Sequence, residues 1–201
     1  MHPNKAFAWE DSEAMLRFVA DRAFANVFTA SDAGLFVVHV PVIVKDGRIW
    51  FHVSQRNRIA DHLEAKPVLI SLSGREGYQS ANWYASVDQV PTWHYEAVEI
   101  EGTARRLSDD ELVELLDLLS DAMEGHYSSD KPWTRAKMGP GKFEAMTRAI
   151  IGFEVDPTAL RGTRKFNQHK SGEDLAATLA GQDGAGRTDI VAAIEELMRN
   201  G

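Results

Sequence analysis

Between Tyr78 and Gly102 the chain concentrates the residues best suited to gripping a planar ligand. Trp83, Tyr84, Trp93 and Tyr95 offer flat apolar faces with polar edges, and Ser80, Asn82, Thr92 and His94 interleave donors and acceptors that a dry core would have to satisfy. Pockets for planar ligands combine large apolar walls with a few placed polar groups. A second cluster, Arg161, Arg164, Lys165 and Lys170, carries about the positive charge that one phosphate-bearing small molecule needs. Each residue also has a plainer use. Tryptophans are commonly core anchors, and an arginine such as Arg56 or a lysine such as Lys165 is commonly a solvated charge.

Other chemistries find little support. The chain has no cysteine, which excludes disulfides, thiolate metal sites and cysteine nucleophiles. The seven histidines show no metal-ligand spacing. His94-Tyr95-Glu96 mimics the first half of a zinc deaminase signature, whose second half requires cysteine. His39 stands out because it sits beside Pro41 in an otherwise apolar strand, where a polar group is costly unless something pairs with it. No Gly-x-Ser-x-Gly occurs, so a serine nucleophile has no signature. Gly184-Ala185-Gly186 follows no strand, and Gly139-Pro140-Gly141-Lys142 lacks the remaining phosphate-loop residues.

The elements that must position these residues read as mostly β. A helix capped by Asp11 carries Met15, Leu16, Phe18 and Val19 and ends near Arg22. Strands are expected at Ala25 to Thr29, at Leu35 to Val44 interrupted by His39 and Pro41, and at Ile49 to Val53 after a tight Asp46-Gly47 hairpin. A short helix from Arg58 to Glu64 is stopped by Pro67, and a buried strand, Val68 to Leu72, is bounded by Ser73-Gly74. Ala97 to Arg106 alternates as a strand with one wet face. Ser108-Asp109-Asp110-Glu111 is a capping box for a helix through Leu112, Leu115, Leu116 and Leu119, ended by Gly125. A helix around Phe143 to Arg148, a strand from Ile150 to Val155, a weak helix near Leu175 to Leu179, a flexible Gly181 to Gly186 joint and an amphipathic helix from Asp189 to Met198 complete the chain. Antiparallel strands with helices at the margins imply a β-barrel with helical additions.

With 201 residues, 44% of them hydrophobic and 26% charged, one domain with a tail is expected: residues 1–170 with a helical insertion near 109–149, then a helical tail over 171–201. The formal charge of −8 argues against a surface built to grip nucleic acid, which relies on clustered Lys and Arg, and no helix-turn-helix is recognisable. Direct DNA binding is therefore not expected. No apolar run suits a signal peptide or a membrane span, so a cytoplasmic protein is expected.

The chain resembles a known family. Met1-His2-Pro3-Asn4-Lys5-Ala6-Phe7, Leu35-Phe36 with His39-Val40-Pro41, and His52 and Asn57 after the hairpin occur in that family's order. So do Tyr78-Gln-Ser-Ala-Asn-Trp-Tyr84, Val90-Pro-Thr-Trp-His-Tyr95 with Ala97-Val98, Pro132-Trp133, Ala149-Ile-Ile-Gly-Phe153 and Lys165-Phe-Asn-Gln168. It is the family of PaiB-type proteins, described as FMN-binding negative transcriptional regulators, and the resemblance runs from the first residue to about Leu179. It implies a split β-barrel, similar to pyridoxamine phosphate oxidases and flavin reductases, in a homodimer with FMN at the subunit interface. By that resemblance the strand His39, Val40, Pro41 and Val42, with His52 on the next strand, lies along the isoalloxazine. Ser54, Arg56 and Asn57 hold the phosphate through side chains and helix N-terminal amides. Trp93, Ser80 and Thr92 line the ring or ribityl chain, and Lys165 with Gln168 closes the site. The sequence departs from the family pattern at His94, where relatives commonly have Asn, and at Lys165-Phe166-Asn167-Gln168-His169, where they have a Lys-x-Ser-Gln-Asn run.

Three functional classes remain open on the residues: a flavin-binding regulator or sensor linked to transcription, an FMN-dependent oxidoreductase acting on a small molecule, and a haem-binding or cofactor-free dimeric scaffold. No acid–base pair marks an enzyme, although flavin chemistry often needs none.

Overall fold

A computed structural model describes residues 2–127, 130–170 and 172–200. Met1, which opens the amino-terminal motif, Ser171, at the start of the expected tail, and Gly201 lie outside the described residues. In chain order the elements are β1 (Ala8–Trp9), α1 (Ser12–Arg22), β2 (Phe24–Ser31), β3 (Gly34–Lys45), β4 (Arg48–Ser54), β5 (Pro67–Gln79), β6 (Thr92–Arg106), α2 (Asp109–Tyr127), α3 (Lys142–Thr147), β7 (Ile150–Lys165), α4 (Gly172–Gly184) and α5 (Thr188–Asn200). The strands form one sheet in the order β1-β7-β4-β3-β2-β5-β6, and β6 also pairs with β7. The protein is mainly β, with the strand connectivity of a split barrel and added helices.

Two compact units emerge, Ser12–Leu72 with Glu99–Leu160, and Met1–Asp11 with Ser73–Val98 and Arg161–Gly201. In the first, β3 alternates between core and solvent. Val38, Val40 and Val42 of β3 are buried while Leu35, Val37 and His39 face outward. The hairpin turns at Asp46 (φ 51) and Gly47 (φ 78), the residue pair that a tight antiparallel connection favours. Phe51 stands opposite Phe153 in the β4–β7 register, and their rings stack at 5.7 Å. The capping box forms as read: the Glu111 amide donates to Ser108 Oγ, and the Ser108 amide donates to Glu111 Oε2 at 2.7 Å. Helix α2 then lays Leu112, Leu115 and Leu119 onto Trp50 and Leu107. Gly152 cannot gain a Cβ without meeting Leu112 Cδ1 at 3.1 Å, so the helix seats closely on β7.

In the second unit, β1 pairs with the end of β7 (Ala8↔Thr163, Trp9↔Gly162). Helices α4 and α5 close a core of Phe166, Leu175, Ile190, Ala193 and Ile194. Glu96 is buried and held by Arg75, with Nε–Oε1 at 2.8 Å and Nη2–Oε2 at 3.1 Å, and Arg75 also reaches Glu196 of α5 at 3.0 Å. Arg164 pairs with the same two carboxylates while covering the Trp9 ring at 3.6 Å.

Several boundaries differ from the sequence reading. β3 is continuous through His39 and Pro41. β5 runs past Ser73-Gly74 to Gln79, and β7 extends to Lys165. The expected helix from Arg58 to Glu64 shrinks to one 3-10 turn, Ala60–His62, and the expected joint at Gly181 belongs to α4. None of the described helices is long and apolar enough to cross a membrane.

Candidate functional site

In the unit built from Ser12–Leu72 and Glu99–Leu160, the central feature is a ladder that stops. The β3–β4 register runs from Lys45↔Arg48 to Val42↔Phe51 and ends there. The next residue of β3 is Pro41, which has no N–H to donate. Beyond it β3 stays paired with β2 (Phe24↔Pro41, Ala25↔Val40, Asn26↔His39), while β4 stays paired with β7 (His52↔Gly152, Val53↔Ile151, Ser54↔Ile150). The two strand ends thus part where His39, Val40 and Pro41 face His52, Val53 and Ser54. Backbone groups on the parted edges are left for a ligand or water.

The side chains follow from strand parity. Val40 and Val42 point into the core, with 4% and 0% exposure, so their side chains do not reach the parted edge, and the Val42 amide is spent on Ala23 O at 2.9 Å. His39 points outward and its Nδ1 is hydrogen-bonded to Asn26 Oδ1 of β2, which answers how this strand tolerates a polar residue. His52 is half-buried, and burial lowers its pKa, so it is neutral at neutral pH.

Past β4 the chain folds into a tight loop. Ser54 Oγ accepts from the Arg56 amide at 3.2 Å, Ser54 O from the Asn57 amide, Asn57 Oδ1 from the Ile59 amide at 3.1 Å and Asn57 O from the Ala60 amide. The Arg56, Asn57, Ile59 and Ala60 amides are thus satisfied inside the loop. An anion here would be met chiefly by side chains. A cavity of about 530 Å3 supplies them, lined by Ser54, Gln55, Arg56, Arg148 and Ala149. Arg148 was not singled out from sequence. Its only signal is its position one residue before the Ala149-Ile-Ile-Gly-Phe153 motif, and the Ser54↔Ile150 pairing carries it to the cavity. The Gln55 amide donates to Ala149 O and pins the two segments together.

In the other unit the remaining predicted residues divide. Lys165 donates to Thr92 Oγ1, and burial pulls its pKa below that of a free lysine. Trp93 is 50% exposed, its indole N–H held by Glu76 and its ring edge-on to Tyr78 at 6.1 Å. Lys165 and Thr92 are thus paired with each other, and Trp93 keeps a half-exposed ring face. Ser80 instead caps a one-turn helix by accepting from the Asn82 amide, and Gln168 is a clasp. Its Oε1 accepts from the Phe166 amide, and its Nε2 donates to Ala6 O at 3.0 Å and Arg164 O at 2.6 Å. Trp83 and Tyr84 are structural as well. Trp83 packs on Gly181, and the Tyr84 hydroxyl bonds the Asn167 side chain at 3.0 Å. His94 is wholly buried, edge-on to Phe166, and neither ring nitrogen has a partner of hydrogen-bonding geometry among the described residues. Burial lowers its pKa to about 4, with Asn167 opposing and Lys165 reinforcing the shift.

A split barrel with an open strand edge and an arginine-lined cavity defines the class as a flavin-binding split-barrel protein. Residues 1–159 match the family model described as "Putative FMN-binding domain", and the chain belongs to that family. FMN is the cofactor, and a hydroxyl, two guanidinium groups and unclaimed strand backbone fit a dianionic phosphate and the polar edge of a flavin. The chain is 29% identical over 179 residues to "Protease synthase and sporulation protein PAI 2" of Bacillus subtilis (strain 168), covering 87% of this chain and 85% of that protein. Two solved structures share the fold. The flavocytochrome Anf3 from Azotobacter vinelandii superposes with a TM-score of 0.63 at 17% identity, covering 88% of this chain and 78% of that one. The FAD and heme binding protein from Mycobacterium smegmatis gives 0.61 at 16%, covering 85% and 79%.

Proposed function

We propose that this protein is a flavin-responsive regulator or sensor that acts as a homodimer and influences transcription indirectly. The observation that carries the reading is the membership of an FMN-binding family together with the parted β3–β4 edge. The name of the Bacillus subtilis relative ties that protein to protease synthesis and sporulation, which supports a regulatory reading here. When bound, FMN supplies a redox-active ring; the chain's own residues bind and orient it. Arg56 and Arg148, with Ser54 Oγ, neutralise the phosphate. The backbone of His39 to Pro41 meets the polar edge of the ring, and Asn26 fixes the orientation of His39 beside it. Lys165 and Thr92, with Trp93, offer a second polar and aromatic contact surface. Asn57 shapes the phosphate loop, whereas Ser80 and Gln168 serve by holding their own segments.

The dimer is supported by the outer face of β2 and β3, where Phe24, Phe28, Leu35 and Val37 are exposed, Leu35 by 82%. A row of large apolar side chains on one sheet face is a common mark of an association surface. The acidic balance of the chain supports a protein that does not itself grip DNA. The residues at 171–201 are proposed to act as a helical tail that steadies the end of β7.

The test couples spectroscopy to regulation. Purified protein should bind FMN with a shifted visible spectrum and quenched flavin fluorescence, and a strain carrying an Arg56→Ala, Arg148→Ala double variant should reproduce the transcript changes of a deletion strain. A deletion strain with an unchanged transcript profile would refute the regulatory role. An electrophoretic shift with the protein's own upstream DNA should show no specific complex at physiological salt, and a salt-resistant specific band would overturn the indirect route.

A further inference from the structure

A second cavity, of about 280 Å3, lies between β4 and the α2–α3 segment, lined by Leu116, Trp133, Met138, Phe143, Met146 and Ile150. It contains no residue of the arginine-lined cavity. Its polar groups are almost all committed: Asp117 pairs with Arg135 at 3.2 Å, Ser120 Oγ donates to Leu116 O at 2.7 Å, and Thr147 Oγ1 donates to Glu144 O at 3.1 Å. The one buried polar atom of the lining without a hydrogen-bond partner among the described residues is His52 Nδ1.

We infer that this cavity is a binding site for an uncharged aromatic molecule of about two fused rings bearing one hydrogen-bonding group, which His52 engages. Size sets the ring count, since an apolar cavity of about 150 Å3 accepts benzene. Neutrality follows from the lining: no uncompensated charge is present to repay the desolvation of an ionised ligand. Burial keeps the imidazole uncharged at neutral pH, consistent with a neutral partner. One unpartnered nitrogen against an aromatic and thioether wall selects one polar substituent at the buried end of the cavity, because a second there would lack a partner. The inference does not rest on the flavin reading.

The probe is 2-naphthol, uncharged at neutral pH, compared by calorimetry with naphthalene and 2-naphthoate. Saturable one-to-one binding of 2-naphthol is expected, with 2-naphthoate at least tenfold weaker. His52→Phe should weaken 2-naphthol about five- to tenfold, the worth of one hydrogen bond, and leave naphthalene within twofold. Ser120→Leu, which adds bulk to the cavity, should abolish binding of both while FMN binding persists, showing that the variant is folded. No binding of 2-naphthol up to its solubility limit, equal losses of 2-naphthol and naphthalene in His52→Phe, or displacement of bound 2-naphthol by FMN would each overturn the inference.

Discussion

Arg56 and Arg148 reach one cavity from segments far apart in the chain, and a charge-assisted contact to phosphate from either is worth about 1.5–3 kcal/mol when well formed. Because both side chains are exposed, the lower end applies. Alanine at either position is expected to weaken FMN about tenfold and to leave riboflavin within twofold, measured by flavin fluorescence quenching; equal losses for both ligands would refute phosphate contact. His94 gives a prediction in pH. Its pKa falls from 6.5 to about 4 on folding, so over that window the unfolded chain binds a proton that the folded chain does not. Stability is therefore complete above pH 6.5 and declines as pH falls toward 4, by up to about 3 kcal/mol at 1.36 kcal/mol per unit. His94→Asn should flatten the denaturation midpoint over that range, and an unchanged slope would assign the acid sensitivity elsewhere.

Among the elements, α4 owes its position to one glycine. A Cβ on Gly181 would fall 2.4 Å from Trp83 Cγ. Alanine improves helix propensity by about 1 kcal/mol, but overpacking costs about 1–3 kcal/mol, so Gly181→Ala should lower the melting temperature. Gly184→Ala in the same helix, where nothing lies within 4 Å, should not. A Gly181→Ala variant as stable as wild type would show that Trp83 moves freely. The same glycine shows what a sequence pattern can miss. Read alone, Gly181 to Gly186 is a flexible joint; the tryptophan that fills the notch left by a missing side chain comes from a distant segment. Ser73 and Gly74 likewise read as the end of β5, because periodicity sees apolar residues, whereas Arg75 continues the strand through its ion pairs with Glu96 and Glu196. Elements fixed by local chemistry were legible: the capping box at Ser108, the hairpin at Asp46-Gly47, and the alternating faces of the strand from Ala97 to Arg106. Ser54, Arg56 and Asn57 were singled out from the sequence and Arg148 was not, since only strand pairing brings it to the cavity that Ser54 and Arg56 line. Gln168 and Ser80 were legible as polar residues in a motif, and their tasks, bracing the backbone, were not.

At the scale of the whole molecule, the exposed apolar face of β2 and β3 bears on assembly. Leu35→Glu places a charge at the turn end of that face without touching the core. If the proposed homodimer forms through that face, the variant is expected to be monomeric in light scattering where the unmodified protein is dimeric, with the melting temperature lowered only as far as loss of a partner requires. A Leu35→Glu protein that remains dimeric would move the interface elsewhere. If the partner subunit completes the flavin site, the same variant should weaken FMN along with dimerisation, a coupling that a site complete within one chain would not show.

The ladder that ends at Pro41 has one more consequence. Unpaired strand backbone is a template on which foreign strands can add, the usual origin of edge-to-edge aggregation. If FMN covers the edges between His39 to Pro41 and His52 to Ser54, it protects the chain as well as equipping it. Protein made in riboflavin-starved cells should then be less soluble than protein made with flavin in excess, and added FMN should slow turbidity growth at fixed temperature. Vitamin supply would in that way set how much of the protein survives, before any question of what the flavin does.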